Sequence, residues 1–264
     1  MWKPNMNWII VILVLIIILS LFSTPSYLEH MSENNQSNDD IILVIARYKE
    51  DLAWLENEPY NQFKHIIYNK GTDTKFHTNK HTMEIIDLPN VGKCDHTYIY
   101  DIIRRYDILS NITLFLPGSM DIEFKDNTAK HIIKSLQSQK TPNSTMLITN
   151  YQIPIYKSLG DFEINVWETS SRVNKDTSVD AETQQSTYRP FSKWYKHHFG
   201  NLNITNVSYY GIMAVSQNHI HNRPKSFYEN LITELNTSPN PEVGHYFERA
   251  WIAIFNPMDG LVHA

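Results

Sequence analysis

The run Ile41-Ile-Leu-Val-Ile-Ala46 is short, uninterrupted and rich in β-branched residues. A run without polar alternation predicts a strand that is buried on both faces, as the central strands of parallel sheets are. Polar residues follow it at once, in Arg47-Tyr-Lys-Glu-Asp51. We therefore expect a parallel sheet with a central strand that ends in a cluster of charged side chains.

Strands and helices alternate after this first strand. The alternation predicts an α/β fold with an open, mostly parallel, doubly wound sheet and flanking helices. The predicted strands are His65–Tyr68, Met83–Asp87, Ile112–Leu116, Met146–Thr149 and Ser208–Ser216. The predicted helices are Leu52–Asn57, Asp95–Tyr106, Thr128–Ser138, one from Pro224 onward and Asn240–Phe255, and residues 170–187 are predicted to form a polar loop.

The amino-terminal segment from Trp8 to Phe22 is apolar at every position except Ser20. It is slightly shorter than the ~20 residues with which a helix spans a bilayer. We predict an uncleaved signal anchor, with a cleaved signal peptide as the alternative. The flanking charges favour a cytoplasmic amino terminus and a lumenal or external body. The expected organisation is a transmembrane segment over residues 1–25, a polar stalk over 26–40 and a single α/β domain over 41–264.

Composition excludes several classes of function. The chain has 264 residues and a formal net charge of −5, without a run of Lys or Arg, so we expect no nucleic-acid partner. The single cysteine, Cys94, rules out an internal disulfide and a cysteine-based zinc cluster. The sequence also lacks a phosphate-binding P-loop, a dinucleotide fingerprint and the nucleophile elbow of hydrolases.

Four polar, turn-rich segments follow the predicted strands. Ligands of doubly wound sheets bind outside the carboxyl ends of the strands, so these segments form one candidate site. The carboxylates after the first strand can bind a ribose or a base, or contribute to a metal site; alternatively they stabilise a helix start. The segments are Arg47–Asp51, Asn69–Gly71, Asn90–Gly92 and Pro117–Asp121.

Two further patterns at this edge are typical of anion and metal binding. Backbone N–H groups in the strand-to-helix turn Pro89–His96, which contains Lys93, can hold an anion; the alternative is an ordinary loop in which Asp95 caps the helix. Asp121 and Glu123 lie just after the fourth strand and can chelate a divalent cation that carries a diphosphate. The alternative is a pair of loop acids in solvent.

A late helix carries three polar residues on one face. Asn240 can cap its first turn, and Pro241 suits its first position. Glu242, His245 and Arg249 are three and four residues apart, so they share a face of this helix. A carboxylate, an imidazole and a guanidinium can perform chemistry together, or they can form a surface cluster of ion pairs.

Six sequence blocks occur in order along residues 41–256. They are Val44-Ile-Ala-Arg-Tyr-Lys-Glu-Asp-Leu-Ala-Trp54, Tyr68-Asn-Lys-Gly71, Leu88-Pro-Asn-Val-Gly92 with His96-Thr-Tyr98, Leu114-Phe-Leu-Pro-Gly118, Tyr210-Gly-Ile-Met-Ala-Val215 and Asn240-Pro-Glu-Val-Gly-His-Tyr-Phe-Glu-Arg-Ala-Trp251. Together these blocks resemble the uncharacterised family called domain of unknown function 3431. The name of that family implies no activity.

A more distant resemblance does imply an activity. The opening strand followed by Ala-Arg-Tyr-x-Glu is similar to the start of glycosyltransferases of the A-type, nucleotide-diphospho-sugar fold. The resemblance implies a nucleotide-sugar donor and a glycan or glycoprotein acceptor. It implies that Glu242 or Glu248 deprotonates the acceptor hydroxyl, with His245 on the diphosphate or a metal ion. It implies a nucleotide-sugar site made of Arg47, Tyr48, Glu50, Asn90, Gly92, Lys93 and Arg249.

One departure from the glycosyltransferase pattern concerns the metal ion. In those enzymes the fourth strand normally ends in an Asp-x-Asp motif that binds Mn²⁺ or Mg²⁺. Here the strand ends in Pro117-Gly-Ser119, and Asp121-Ile-Glu123 follows a few residues later. Three interpretations remain: the metal site is displaced to Asp121 and Glu123, the enzyme needs no metal, or the fold has lost activity.

The combined hypothesis is a membrane-anchored glycosyltransferase of the secretory pathway. The alternatives are a non-catalytic carbohydrate-binding or scaffold protein of the same fold, and a hydrolase that uses the same carboxylates. The active-site assignment requires the late helix to face the strand ends across one cleft.

Overall fold

The computed structural model describes residues 40–138, 146–148, 151–152, 159–164, 183–201, 206–256 and 261–263. The predicted anchor and nearly all of the predicted stalk lie outside these ranges, as does most of the predicted loop 170–187. Within the described ranges no helix is long and apolar enough to cross a membrane.

The strands form a mostly parallel sheet, which confirms the predicted mixed α/β fold. They are β1 (Ile41–Arg47), β2 (Lys64–Asn69), β3 (Thr82–Asp87), β4 (Ile112–Pro117), β5 (Met146–Ile148), β6 (Tyr151–Gln152), β7 (Asn206–Val207), β8 (Met213–Ser216) and β9 (Leu261–His263). Among the described residues the main sheet has the order β3-β2-β1-β4-β8-β5-β9, and β6 pairs with β7. The pairings from β3 through β4 are parallel, whereas β8 is antiparallel to β4 and β5.

Helices flank the sheet on both faces, as predicted. They are α1 (Lys93–Arg105), α2 (Glu123–Ser138), α3 (Phe191–Phe199), α4 (Gln217–His221), α5 (Lys225–Ile232) and α6 (Glu242–Ile254), with 3₁₀ turns at Ala53–Glu56, Tyr60–Gln62, Tyr106–Ile108 and Thr233–Leu235. Residues of α1, α3, α5 and α6 belong to one hydrophobic core. Residues of α2 and of the first 3₁₀ turns belong to a second core.

Strand β1 is buried along its whole length, as its sequence predicts. It pairs in parallel with β2 on one side and with β4 on the other. Ile42 and Val44 belong to the first core, whereas Leu43 and Ile45 belong to the second. Each buried side chain of this size stabilises the fold by roughly 1.5–3 kcal/mol. The strand therefore joins the two layers of helices.

The prediction of a strand over Ser208–Ser216 is wrong for the first half of this segment. The φ angles of Tyr210 and Gly211 are 69° and 68°, in the left-handed region, which no extended strand can include. The chain turns there, and β8 begins only at Met213. The apolar composition of this segment reflects burial around a turn as well as within a strand.

The predicted capping role of Asn240 is also wrong. Helix α6 begins at Glu242 after Pro241, and no side chain caps it. The N–H of Glu242 donates to the carbonyl of Gln184 at 2.8 Å, while Asn240 Nδ2 donates to Thr183 Oγ1 at 3.2 Å. A neighbouring segment of backbone thus takes the place of the cap.

Gly71, just after β2, has no room for a side chain, because an added Cβ would lie 1.8 Å from the carbonyl oxygen of Tyr48. We expect Gly71→Ala to lower the free energy of unfolding by about 2 kcal/mol or more, as overpacking does. Urea-induced unfolding followed by circular dichroism measures the loss.

Gln137→Ala, an exposed change on α2, is the control for this substitution and should change the free energy of unfolding by less than about 0.5 kcal/mol. Equal results for the two variants would show that the Tyr48 carbonyl simply moves aside.

Candidate functional site

The strand order reverses between β1 and β4, because β2 and β3 lie on one side of β1 and β4 lies on the other. Open α/β sheets bind ligands at such a reversal, outside the carboxyl ends of the strands. The N–H of Gly118 donates to the carbonyl of Ala46 at 2.7 Å, which joins the two strand ends. The Trp54 indole N–H donates to the Gly118 carbonyl at 2.9 Å and fixes the turn from behind.

Glu50 fills the space that Gly118 leaves. A Cβ on Gly118 would lie 2.9 Å from Glu50 Oε2. The same carboxylate oxygen accepts the N–H groups of Tyr48 at 2.7 Å and Lys49 at 3.1 Å. The turn after β1 therefore holds the Glu50 carboxylate against the end of β4.

Arg47 is buried beneath this edge, and its side chain is only 1% exposed. The guanidinium donates to Asn69 Oδ1 at 2.7 Å and to Asp73 Oδ2 at 2.6 Å. It also lies over the ring of Phe76, 3.9 Å from the ring centroid. Arg47 thus ties the end of β1 to β2 and to the loop that follows β2.

A groove of about 430 Å³ opens over this cluster. It offers an aromatic ring, two lysines and several carboxylates, which together suit a polar ligand with a planar ring. The groove is lined by Arg47, Lys49, Glu50, Asp51, Asp73, Lys75, Phe76 and His77.

The connection from β3 to α1 is fitted closely to the segment before α6. Gly92 has a φ of 59°, and an added Cβ would lie 2.6 Å from the carbonyl oxygen of Leu235. The N–H of Gly92 donates to the Ser238 carbonyl at 2.8 Å. Gly92 is therefore required for packing, whereas the neighbouring Asn90 and Lys93 are half-buried at the surface of the turn.

Lys70 supports this connection from within. Its ammonium donates to the carbonyls of Val91, at 2.6 Å, and of Lys93. Burial lowers the pKa of Lys70 to about 7, although the nearby Cys94 and Asp95 raise it.

The first turn of α1 faces α6. A Cβ on Gly244 would lie 3.3 Å from Asp95 Oδ2, and a Cβ on Gly211 would lie 2.8 Å from Cys94 Sγ. Burial, and then the nearby charge of Glu248, raises the pKa of Asp95 well above its usual value. Two carboxyl groups from different helices therefore share this buried region.

Helix α6 brings Glu248 to the same edge. Glu248 Oε1 accepts the N–H of Tyr210 at 3.2 Å, and the side chain is 24% exposed. Burial raises the pKa of Glu248. The positive charges nearby lower it in part, and they belong to Arg249, Lys93 and Lys125. Glu248 is thus a half-buried carboxyl group with positive charges around it.

Glu242, six residues earlier on α6, is fully buried. Its Oε1 accepts the N–H of Ile164 at 2.9 Å, and its Oε2 accepts the N–H of Ser186 at 2.8 Å. The Arg189 guanidinium lies 2.8 Å from Oε2. Glu242 therefore anchors two neighbouring segments of chain to the start of α6.

His245 and Arg249 have surroundings different from those of Glu242. His245 Nδ1 lies 3.8 Å from Glu248 Oε2, and burial lowers the pKa of His245 to about 3. Arg249 donates to the carbonyl of His245 at 2.7 Å, and its guanidinium lies 3.5 Å from the ring centroid of Phe162. The shared helix face predicted for these residues does not form one ion-pair cluster.

Two exposed aromatic rings, those of Phe124 and Tyr210, lie beside Glu248 and are called the rim below. The rings of Phe124 and Tyr210 meet edge to face, with their centroids 4.9 Å apart. Phe124 is 49% exposed and Tyr210 is 38% exposed. Tyr210 also has the positive φ described above, and such outliers in non-glycine residues cluster at functional sites.

A family model described as "Protein of unknown function (DUF3431)" matches residues 43–261 of this chain. The chain belongs to the DUF3431 family. No curated protein matches the sequence. The matched region of this DUF3431 protein includes all the strand ends and both glutamates of α6 described above.

The two carboxylates predicted to bind a metal in this DUF3431 protein are Asp121 and Glu123. Both are exposed, and Glu123 is the first residue of α2, which starts earlier than predicted. Within the described part of the chain no three His, Cys, Asp or Glu residues are grouped so that they could hold a metal ion.

Sequence reasoning missed Lys125, which lies in the first turn of α2. Its ammonium donates to Ser119 Oγ at 2.6 Å, so it reaches back to the end of β4. The predicted helix begins at Thr128, whereas α2 begins at Glu123, and Lys125 lies in the part that the prediction left out. A helix that begins at Glu123 directs its first-turn side chains toward the preceding strand end.

Glu242→Ala should destabilise the DUF3431 protein. The substitution removes the acceptor of the Ile164 and Ser186 N–H groups and breaks the ion pair with Arg189. Breaking a buried ion pair costs about 3 kcal/mol or more. Chemical denaturation measures the loss. Glu229→Ala, on the exposed side of α5, should change stability by less than about 0.5 kcal/mol. A loss below about 1 kcal/mol in Glu242→Ala would contradict this role.

His96 should make the fold sensitive to acid. Burial, and then the charge of Lys70, lowers the pKa of His96 from 6.5 to about 4. Between these pH values the unfolded chain binds more protons than the folded one, so stability falls as the pH drops from 6.5 to 4. His96→Gln should flatten that fall in unfolding experiments at several pH values, whereas His131→Gln, on the exposed side of α2, should leave it unchanged.

Proposed function

We propose that this protein transfers a glycosyl group from a nucleoside-diphosphate sugar to a hydroxyl group of a glycan or glycoprotein. The observation that carries the proposal is the half-buried Glu248, whose pKa is raised by burial and whose Oε1 accepts the N–H of Tyr210 in the turn before β8. Perturbed carboxyl groups in a cleft are candidates for general acid–base roles. The proposal includes the A-type fold of nucleotide-diphospho-sugar transferases, which the β3-β2-β1-β4 order supports.

The groove over Arg47 is the proposed nucleotide end of the donor site. Phe76 offers its ring to a base, while the exposed Lys49 and Lys75 offer positive charge to the phosphates. Arg47 keeps the ring of Phe76 in place through the stacking described above. Glu50 lines this groove, and its carboxylate also lies against Gly118 at the end of β4, where the strand order reverses.

The acceptor enters on the side of Glu248 in this proposal. The exposed rings of Phe124 and Tyr210 offer apolar faces to a sugar ring at the rim. The Tyr210 N–H donates to Glu248 Oε1, and this hydrogen bond fixes the position of the carboxylate relative to the rim. The second oxygen, Oε2, then faces the acceptor hydroxyl.

The proposed chemical step is a single displacement at the anomeric carbon. Glu248 accepts the proton of the acceptor hydroxyl as the new oxygen–carbon bond forms. The bond between the anomeric carbon and the diphosphate oxygen breaks, and its electron pair leaves with the nucleoside diphosphate. Because burial raises the pKa of Glu248, the acidic limb of the pH–rate profile should lie above pH 4.5.

The cellular setting is part of the same proposal. An anchor over residues 8–22 would hold the catalytic domain at a membrane, on the lumenal or external side. Donors and acceptors of secretory glycosylation are available there, which agrees with the proposed reaction.

Glu248→Gln tests the proposed reaction. The amide keeps an oxygen for the Tyr210 N–H but cannot take the proton, so kcat/KM should fall about 100-fold or more while the melting temperature is retained. The assay offers the full-length protein a panel of nucleotide sugars with glycan acceptors, and detects the released nucleoside diphosphate together with the extended glycan.

Glu229→Gln, an exposed change on α5, is the matched control and should retain full activity. Equal rates in wild type and Glu248→Gln would refute the role of Glu248. Release of free sugar without an acceptor would indicate a hydrolase. Donor binding without turnover in either protein would indicate a carbohydrate-binding protein of the same fold.

A further inference from the structure

The residues at the end of β4 do not fit a divalent cation. The position of the expected metal motif is taken by Pro117, Gly118 and Ser119, which provide no carboxylate. The nearest acids in sequence, Asp121 and Glu123, are exposed, and within the described residues no group of three acidic, histidine or cysteine side chains could hold a metal. Mg²⁺ and Mn²⁺ sites are normally built from carboxylates together with phosphate oxygens.

An ammonium group lies at this strand end instead. Lys125 extends from the first turn of α2, and its Nζ donates to Ser119 Oγ at 2.6 Å. Among the described residues this hydroxyl is the one hydrogen-bond acceptor that Lys125 Nζ meets. An ammonium has three N–H donors, so two remain for a ligand.

The surroundings of Lys125 differ from those of Lys130 on the same helix. Lys130 is exposed and paired with Asp126, with 2.7 Å between Nζ and Oδ2. Lys125 is half-buried and contacts a neutral hydroxyl. Burial lowers the pKa of Lys125, while acidic groups nearby, Glu50 and Glu248 among them, act in the opposite direction. A half-buried cation bound to a neutral group gains from an anionic ligand.

A second lysine also acts on Glu248. The charge of Lys93, at the start of α1, acts on both Glu248 and His245. The dipole of α1 adds positive potential at this end of the helix, where Gly92 offers no side-chain cap. Lys125 of α2 and Lys93 of α1 therefore both lie within electrostatic reach of Glu248.

We propose that Lys125 binds the diphosphate of the nucleotide-sugar donor and does the work of a divalent cation, so that transfer is independent of metal ions. This inference rests on the function proposed above. As the bond from the anomeric carbon to the diphosphate breaks, negative charge builds on the leaving oxygen. The fixed ammonium of Lys125 stabilises that charge without further reorganisation.

Binding of nucleoside diphosphates tests the proposal. UDP, GDP, CDP and ADP, each beside its monophosphate, are titrated into full-length protein by calorimetry, with EDTA and separately with Mn²⁺ or Mg²⁺. We expect at least one diphosphate to bind equally well in EDTA and with metal, and more tightly than its monophosphate. Lys125→Met should weaken the diphosphate by about 10- to 100-fold and leave the monophosphate nearly unchanged.

Two further variants serve as controls. Lys130→Met removes the same charge from the same helix and should bind like the wild type. Lys125→Arg retains the charge and should keep most of the preference for the diphosphate. Because the monophosphate is measured on each variant, misfolding would be recognised as a loss of both ligands, and Lys125→Arg then decides whether the charge matters.

Three outcomes would overturn the proposal. Diphosphate binding that requires Mn²⁺ or Mg²⁺ would refute metal independence and leave the proposed glycosyl transfer intact. An unchanged preference for the diphosphate in Lys125→Met would refute the role of Lys125 alone. Absence of binding by every nucleotide, with and without metal, would refute the proposed function and this inference together.

Discussion

The parallel pairing of β1 with both β2 and β4 is the constraint on which the rest of the structure depends. All seven residues of β1 are buried, and alternate side chains enter two different cores. The pairing places the ends of three strands at one edge. It also buries Arg47 at that edge, where its guanidinium donates hydrogen bonds to Asn69 and Asp73. The polar groups around the groove are thus consequences of how β1 is paired.

Much of the sheet could be predicted from the sequence, because a fully buried parallel strand has a distinctive composition. The elements from β1 to α2 occur in the predicted order, with shifted ends. The turn at Tyr210 and Gly211 could not be predicted, since its apolar flanks resemble a strand. The hydrogen bond that replaces a side-chain cap at the start of α6 could not be predicted either, because the acceptor of the Glu242 N–H is the carbonyl of the distant Gln184.

The two glutamates of α6 show why sequence spacing does not identify the residue that is available for chemistry. Glu242 shares a helix face with His245, yet its oxygens are taken by two backbone N–H groups and by Arg189. Glu248 lies on the face toward α1 and keeps partial exposure. The difference depends on segments far away in sequence. Lys125 is different, because its partner Ser119 is only six residues away and becomes evident once the start of α2 is known.

The hydrogen bond from Trp54 to the carbonyl of Gly118 has an optical consequence. The indole is 6% exposed and lies directly behind the turn that joins β1 to β4. Its emission responds to the electric field at that carbonyl, so a charged ligand at the reversal point should shift the emission of this residue. A protein in which Trp54 alone is labelled, for example with a fluorinated indole, would report ligand binding at the reversal point without any added dye.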